Sequence, residues 1–149
     1  MKKLSFCLLL GLAGLTSFAP DFCRRSGIKG HVYLVTGNQM PSPDVPRSSP
    51  KGTKTTVYIY ELTNISQVSR EGVSAFYRAI STKPVREVQT ADDGSFSVKL
   101  KPGKYSLFVK KGDLFYSSVF DSGNNIHPVE VVKGKMTEDN FQMNYDAVY

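Results

Sequence analysis

Two histidines are the side chains of this sequence best suited to metal binding or proton transfer. His31 and His127 lie far apart in the chain, and neither belongs to an H-x-H or H-E-x-x-H pattern. Such patterns matter because their spacing brings two ring nitrogens to one metal ion. The sequence therefore predicts no metal and no other cofactor. We expect His31 on the polar face of a strand and His127 in a loop.

Two adjacent carboxylates, Asp92 and Asp93, precede Gly94. A calcium loop needs acidic residues at alternate positions, as in D-x-D-x-D-G, and this segment lacks that spacing. The three residues instead indicate a tight turn, because glycine tolerates positive φ and aspartate bonds its own backbone. No serine occupies a G-x-S-x-G elbow. We therefore expect no catalytic residue, and an unrecognised hydrolase is only the third hypothesis.

The most suggestive binding residues lie in the segment GDLFYSSVFDSGNNIHP. Aromatic rings beside amides and carboxylates are typical of carbohydrate sites, and aromatic anchors also suit protein interfaces. The alternative is structural, because aromatic residues on strands usually pack in a core and Gly-Asn runs usually turn. The candidate binding residues are Phe115, Tyr116, Asp121, Asn124 and Asn125.

A second candidate is the segment 36–54, which contains four prolines and should form a long surface loop. The three functional hypotheses make different structural predictions. Protein binding predicts an apolar, solvent-facing patch near this loop. Sugar binding predicts an exposed flat ring, such as Tyr116, with Asn124 or Asp121 within reach. An enzyme predicts His31 or His127 beside a carboxylate in a pocket.

Residues 1–19 have the layout of a secretory signal peptide, with Lys2 and Lys3 before an apolar run. The run is shorter than the roughly 20 apolar residues of a spanning helix, so we expect no membrane span in the mature chain. A short tether at 20–26 should follow. The expected location is the periplasm, the outer membrane or the extracellular space.

The cysteines and the charge carry less information. Cys7 lies within the signal peptide, so Cys23 would have no partner for an internal disulfide. The formal net charge of +6 comes from basic residues that are spread along the chain. Without a basic stripe or a reader motif, we expect no nucleic-acid partner.

Alternating apolar residues and regular turns indicate an all-β chain. Strands are predicted at 27–35, 55–61, 85–90, 95–101, 104–110, 115–120, 129–132 and 137–145. Segments 95–101 and 104–110 should form a hairpin with one apolar face. Segment 64–83 allows either a short helix or a strand near Phe76–Ile80. The pattern predicts a single antiparallel β-sandwich of about seven strands over residues 27–149.

Three motifs resemble those of the carboxypeptidase regulatory-like domain, a transthyretin-like (prealbumin-like) sandwich. They are Gly30-His31-Val32, DDGSF at 92–96 and PGKY at 102–105. The resemblance spans about residues 27–145, most of the mature chain. More narrowly, the segments GNQMP, IYELT, STKPV, DGSFSVKLKPGKYSLFV and MNYDAVY resemble small exported bacterial proteins that carry this domain alone. The resemblance implies a fold and no activity, because the fold hosts many functions.

Two enzyme families with related sandwiches do not fit this sequence. Ring-cleaving iron dioxygenases use two Tyr and two His ligands, and their H-x-H pair is absent here. Ureide hydrolases end in Y-R-G-S, whereas this chain ends in YDAVY. We therefore predict an exported, non-catalytic binding or accessory module of the bacterial cell envelope, with an envelope protein as partner. The alternative is a carbohydrate-binding module with a glycan partner.

Overall fold

Twelve β-strands make up the computed structural model, which describes residues 26–149. The five strands of the first sheet are β1 (Gly27–Asn38), β2 (Lys51–Gly52), β7 (Ser95–Lys99), β11 (Met136–Glu138) and β12 (Phe141–Val148). The seven strands of the second sheet are β3 (Thr56–Glu61), β4 (Val68–Arg70), β5 (Phe76–Ile80), β6 (Pro84–Gln89), β8 (Gly103–Lys111), β9 (Leu114–Tyr116) and β10 (Pro128–Val131). The signal peptide predicted at 1–19, Cys7, Cys23 and the tether up to residue 25 lie outside the described residues.

The first sheet is built around β1. On one side β1 pairs antiparallel with β7 and β2, and on the other it pairs parallel with β11 and β12. The second sheet runs in the order β4-β5-β9-β8-β3-β6, and β10 also pairs with β8. The two sheets pack face to face, which confirms the predicted all-β sandwich.

The main core lies between the sheets and follows the period-two alternation of the strands. Ile28 and Val32 of β1, Ile59 of β3, Leu107 of β8 and Phe141 of β12 are fully buried there. Because the apolar sets of both sheets face this layer, burial of apolar surface holds the sheets together.

The predicted hairpin is wrong, because its two strands belong to different sheets. β7 pairs with β1, whereas β8 pairs with β3. Pro102 marks a crossing between the sheets and not a hairpin turn. The physical reason is burial. The crossing brings Phe96 and Val98 of β7 into the same core as Leu107 and Val109 of β8, whereas a hairpin would leave one apolar face to be covered elsewhere.

A second apolar cluster covers the outer face of the second sheet. Tyr60, Tyr77, Phe108 and Ile126 form this outer cluster. The prediction of a single apolar face for segment 104–110 places Tyr105, Leu107 and Val109 on that face and Ser106 and Phe108 on the other, polar face, yet Ser106 and Phe108 are fully buried. The assignment was wrong because alternation separates the two faces of a strand but does not show whether other residues pack against the second face.

Several predicted boundaries shift. In segment 64–83 the strand Phe76–Ile80 is confirmed, and a single 3-10 turn at Ile65–Gln67 is the only helical element of residues 26–149. The strand predicted at 115–120 ends at Tyr116. β1 continues past 35 to Asn38, because a bulge between Leu34 and Thr36 keeps it paired with β12. Within the described residues no helix has the length and apolarity needed to cross a membrane.

Candidate functional site

The two aromatic candidates lie on opposite faces of β9 and cannot share one surface. Phe115 packs on the outer cluster, with its ring centroid 5.4 Å from that of Tyr58 in an edge-to-face arrangement. Tyr116 is only 2% exposed and lies in the main core, where its hydroxyl hydrogen-bonds Asn144. The prediction of Tyr116 as an exposed sugar platform is therefore wrong.

The polar candidates form a hydrogen-bonded loop. The Asp121 carboxylate accepts from the backbone N–H of Gly123 at 2.9 Å and of Asn125 at 2.8 Å. The side-chain amide of Asn125 donates to the second Asp121 oxygen at 2.9 Å. These bonds, the one from the Asn125 side chain first, lower the pKa of Asp121 below its usual value. Asn124 is exposed and has a left-handed backbone, with φ of 61°.

Asn64 fastens this loop to the neighbouring 3-10 turn. Its amide nitrogen donates to the Gly123 carbonyl at 2.8 Å and to the Asn125 side chain at 3.3 Å. Its amide oxygen accepts from the Ser66 backbone at 3.1 Å. Since Asp121 and Asn125 already bond within the protein, the structure supports the turn interpretation for these two residues. The five candidates do not converge on one surface.

His127 occupies a buried position that the sequence did not indicate. It is 4% exposed, and its Nε2 lies 2.8 Å from an Asp139 carboxylate oxygen. Its ring stacks on Phe141 with centroids 4.7 Å apart. Nδ1 is buried and has no hydrogen-bond partner within residues 26–149. The carboxylate therefore holds the imidazole with the proton on Nε2.

A histidine beside a carboxylate could transfer protons, but a substrate could not reach this buried pair. Neither His127 nor Asp139 lines the grooves at Lys29–His31, Pro41–Arg47 or Lys83–Val85. The side chain of Asp139 is 23% exposed, so only its outer edge meets solvent. We therefore assign the pair a structural role, linking the start of β10 to the turn between β11 and β12. Nothing in the sequence around His127, which precedes Pro128, predicts that this histidine is buried.

His31 lies on the outer face of the first sheet, as predicted. The pairing register places Lys29 between Ser97 of β7 and Glu138 of β11, and it places Ser95 opposite His31. These side chains share one face because paired residues in a sheet project on the same side. They line a groove of about 500 Å³, here called the β1 groove, together with Gly30, Val88, Gln89, Ala91 and Phe96.

The loop predicted at 36–54 carries an exposed apolar surface. Met40 is 51% exposed, Val45 57%, Val148 62% and Tyr149 66%, and we call these four residues the loop patch. The backbone N–H of Gln39 donates to the Val148 carbonyl at 2.8 Å, so the loop lies beside the end of β12. A groove of about 550 Å³ between Pro41 and Arg47 adjoins the patch.

No group of three or more His, Cys, Asp or Glu side chains suited to a metal ion occurs in the part of the chain that the structure describes. The loop patch and the β1 groove are two surfaces of the described residues that offer groups for binding. Comparison with protein-family models, with curated proteins and with solved structures gives no match for this chain.

Proposed function

We propose that this chain is an exported, non-catalytic β-sandwich module that binds a protein partner in the bacterial cell envelope. The observation that carries the proposal is the loop patch. Of the three hypotheses drawn from the sequence, protein binding alone expects an apolar, solvent-facing surface near the loop at 36–54. The signal-like pattern of residues 1–19 supports export to the periplasm, the outer membrane or the extracellular space.

Three members of the patch are linked along the chain, because Met40 follows Gln39, which bonds Val148, and Tyr149 follows Val148. Val45 lines the adjoining groove between Pro41 and Arg47. Full burial of one Val or Met side chain in an interface is worth about 1.5–3 kcal/mol. Two or three such anchors therefore supply an energetic centre for an interface. Fixed loop ends would also lower the cost of ordering the loop on binding.

Two side chains fix the base of the loop. The Gln39 amide donates to the Ser48 hydroxyl at 2.7 Å and to the Thr36 carbonyl at 3.1 Å. The Ser48 hydroxyl also donates to that carbonyl. The strand end and the returning loop are therefore tied together, and Met40 and Val45 project from an anchored segment.

The environment of the two histidines supports the proposal that the module is non-catalytic. His127 and Asp139 are packed against Phe141, and His31 lies in an open groove whose carboxylate, Glu138, is not hydrogen-bonded to it. As for family, we propose the carboxypeptidase regulatory-like type. The three motifs that carry the resemblance fall on β1, on the turn into β7 and on the crossing into β8.

A cross-linking experiment with a matched control tests the loop patch. Val45→Asp places a charge in the patch, and Val132→Asp places the same charge at a valine that is 48% exposed elsewhere. The purified proteins are cross-linked in an envelope extract, and captured proteins are identified by mass spectrometry. We expect one protein to be captured by the wild type and by Val132→Asp but not by Val45→Asp. Identical capture by all three proteins would contradict the proposal.

A further inference from the structure

A second binding surface lies about 30 Å from the loop patch, near the other end of β1, if β1 rises about 3.3 Å per residue. We propose that the β1 groove, which lies on the first sheet beside the end of β6, binds a neutral saccharide. The site is distinct from the loop patch and from the rejected Tyr116 platform. It carries an activity beyond protein binding.

Unpaired polar side chains are the first argument. Lys29, Gln89, Ser97 and Glu138 line the groove with His31, and the side chains of these four residues make no hydrogen bond or ion pair with any residue within 26–149. By contrast, the Ser95 hydroxyl already donates to Asp93 at 2.6 Å. A groove with this many free donors and acceptors is equipped to exchange bound water for the hydroxyl groups of a ligand.

The charges of the side chains that line the groove favour a neutral ligand. Lys29 and Glu138 are neighbours in the parallel pairing of β1 with β11, and their charges cancel. An anionic ligand would meet Glu138, and a cationic ligand would meet Lys29. A sugar hydroxyl suits both residues, because it accepts from the ammonium group and donates to the carboxylate.

The spacing and the ring geometry fit sugar rings. Neighbouring strands lie about 4.8 Å apart, so the row Glu138–Lys29–Ser97 spans about 10 Å, close to the length of two pyranose rings. His31 stacks on Tyr33, with centroids 5.7 Å apart and planes inclined by 16°. His31 lines the groove and Tyr33 does not, so the imidazole is the ring of this pair that a bound sugar would contact.

A ligand on the sheet face accounts for these groups better than a peptide strand added at the edge. An added strand would use the free backbone groups at the edge of β7. The unpaired groups of the β1 groove are instead side chains of β1, β7 and β11 and of the end of β6. They converge on a ligand that lies across β1.

Titration with neutral disaccharides tests the proposal. The full chain is titrated with cellobiose, maltose, lactose and N-acetylated chitobiose, and backbone amide shifts are followed by NMR. Expected are saturable shifts at Lys29, His31 and Ser97 with at least one sugar. The double variant Ser97→Ala/Glu138→Ala should bind about ten-fold more weakly, since it loses two hydrogen bonds. Both residues are exposed, so folding should be preserved.

Lys99→Ala is the matched control, because Lys99 lies on the same face of β7 and does not line the groove. It should bind as the wild type does. Absence of saturable shifts at these amides with all four sugars would overturn the proposal. So would saturation by a tetra-alanine peptide alone, or equal affinity in the double variant. Val45→Asp should leave sugar binding unchanged, so failure here is separable from failure of protein binding at the loop patch.

Discussion

Removing the carboxylate that faces His127 should destabilise the sandwich measurably. In Asp139→Ala the Nε2–H of a histidine that is 4% exposed loses its acceptor. A buried donor left unpaired costs about 1–3 kcal/mol. For a domain of this size about 4 °C is lost per kcal/mol, so the melting temperature should fall by roughly 4–12 °C.

Asp139→Asn separates the hydrogen bond from the charge. The asparagine oxygen can still accept from Nε2, so this variant should lose less stability than Asp139→Ala. Asp113→Ala is the matched control, because Asp113 is exposed, and it should change stability by less than about 0.5 kcal/mol.

Unfolding in urea, followed by far-ultraviolet circular dichroism, is the suitable assay because the chain contains no tryptophan. The free energies of unfolding of the wild type and the three variants are compared at neutral pH. If Asp139→Ala unfolds within about 0.5 kcal/mol of the wild type, the pair does not contribute to stability and the structural role assigned to it is wrong. Equal losses in the alanine and asparagine variants would show that charge, and not the hydrogen bond, matters.

Two further predictions concern the outer cluster and the loop at Asp121. Phe108→Ala should cost about 3–5 kcal/mol in urea unfolding, since Phe108 is fully buried. Phe120→Ala, at a side chain that is 40% exposed, should cost far less. Acid titration should break the Asp121 loop only below the unfolded pKa of about 3.9, since the folded pKa is lowered and its stabilisation is lost as pH falls through that value. The Gly123 and Asn125 amide shifts report this transition, which should be missing in Asp121→Asn.

Each of these two predictions has a contradicting result. Equal destabilisation by the Phe108 and Phe120 variants would mean that the outer cluster is not a packed core. An amide-shift midpoint at or above about 3.9 would mean that the hydrogen bonds to Asp121 do not favour its ionised form.

The longer strands of this protein could be predicted from the sequence because alternation of apolar residues is a local signal. Val57, Ile59, Leu107 and Val109 are all buried as their spacing indicates. Pairing partners are not local. The partner of β7 is β1, which lies more than 60 residues earlier in the chain, and no turn signal encodes that distance.

The candidate site was less predictable, for a physical reason. The candidate residues were chosen from the sequence largely because they are aromatic. A buried aromatic residue such as Tyr116 cannot be distinguished by its sequence pattern from an exposed one. The β1 groove depends on register, because Lys29, Ser97 and Glu138 become neighbours only when three distant strands pair. No sequence motif indicates that these three residues become neighbours. The loop patch was accessible from the sequence because prolines identify a surface loop directly.

The pairing of β1 with β11 and β12 also sets the order in which the protein can fold. The first strand of the sandwich finds its parallel neighbours only in the last strands, more than 100 residues later. Joining such distant segments requires closing a long loop first, which slows folding. The first sheet therefore stays open until the C-terminal strands are made. Under the proposed export this delay would be an advantage, because a sheet that closed early would block passage through a secretion channel.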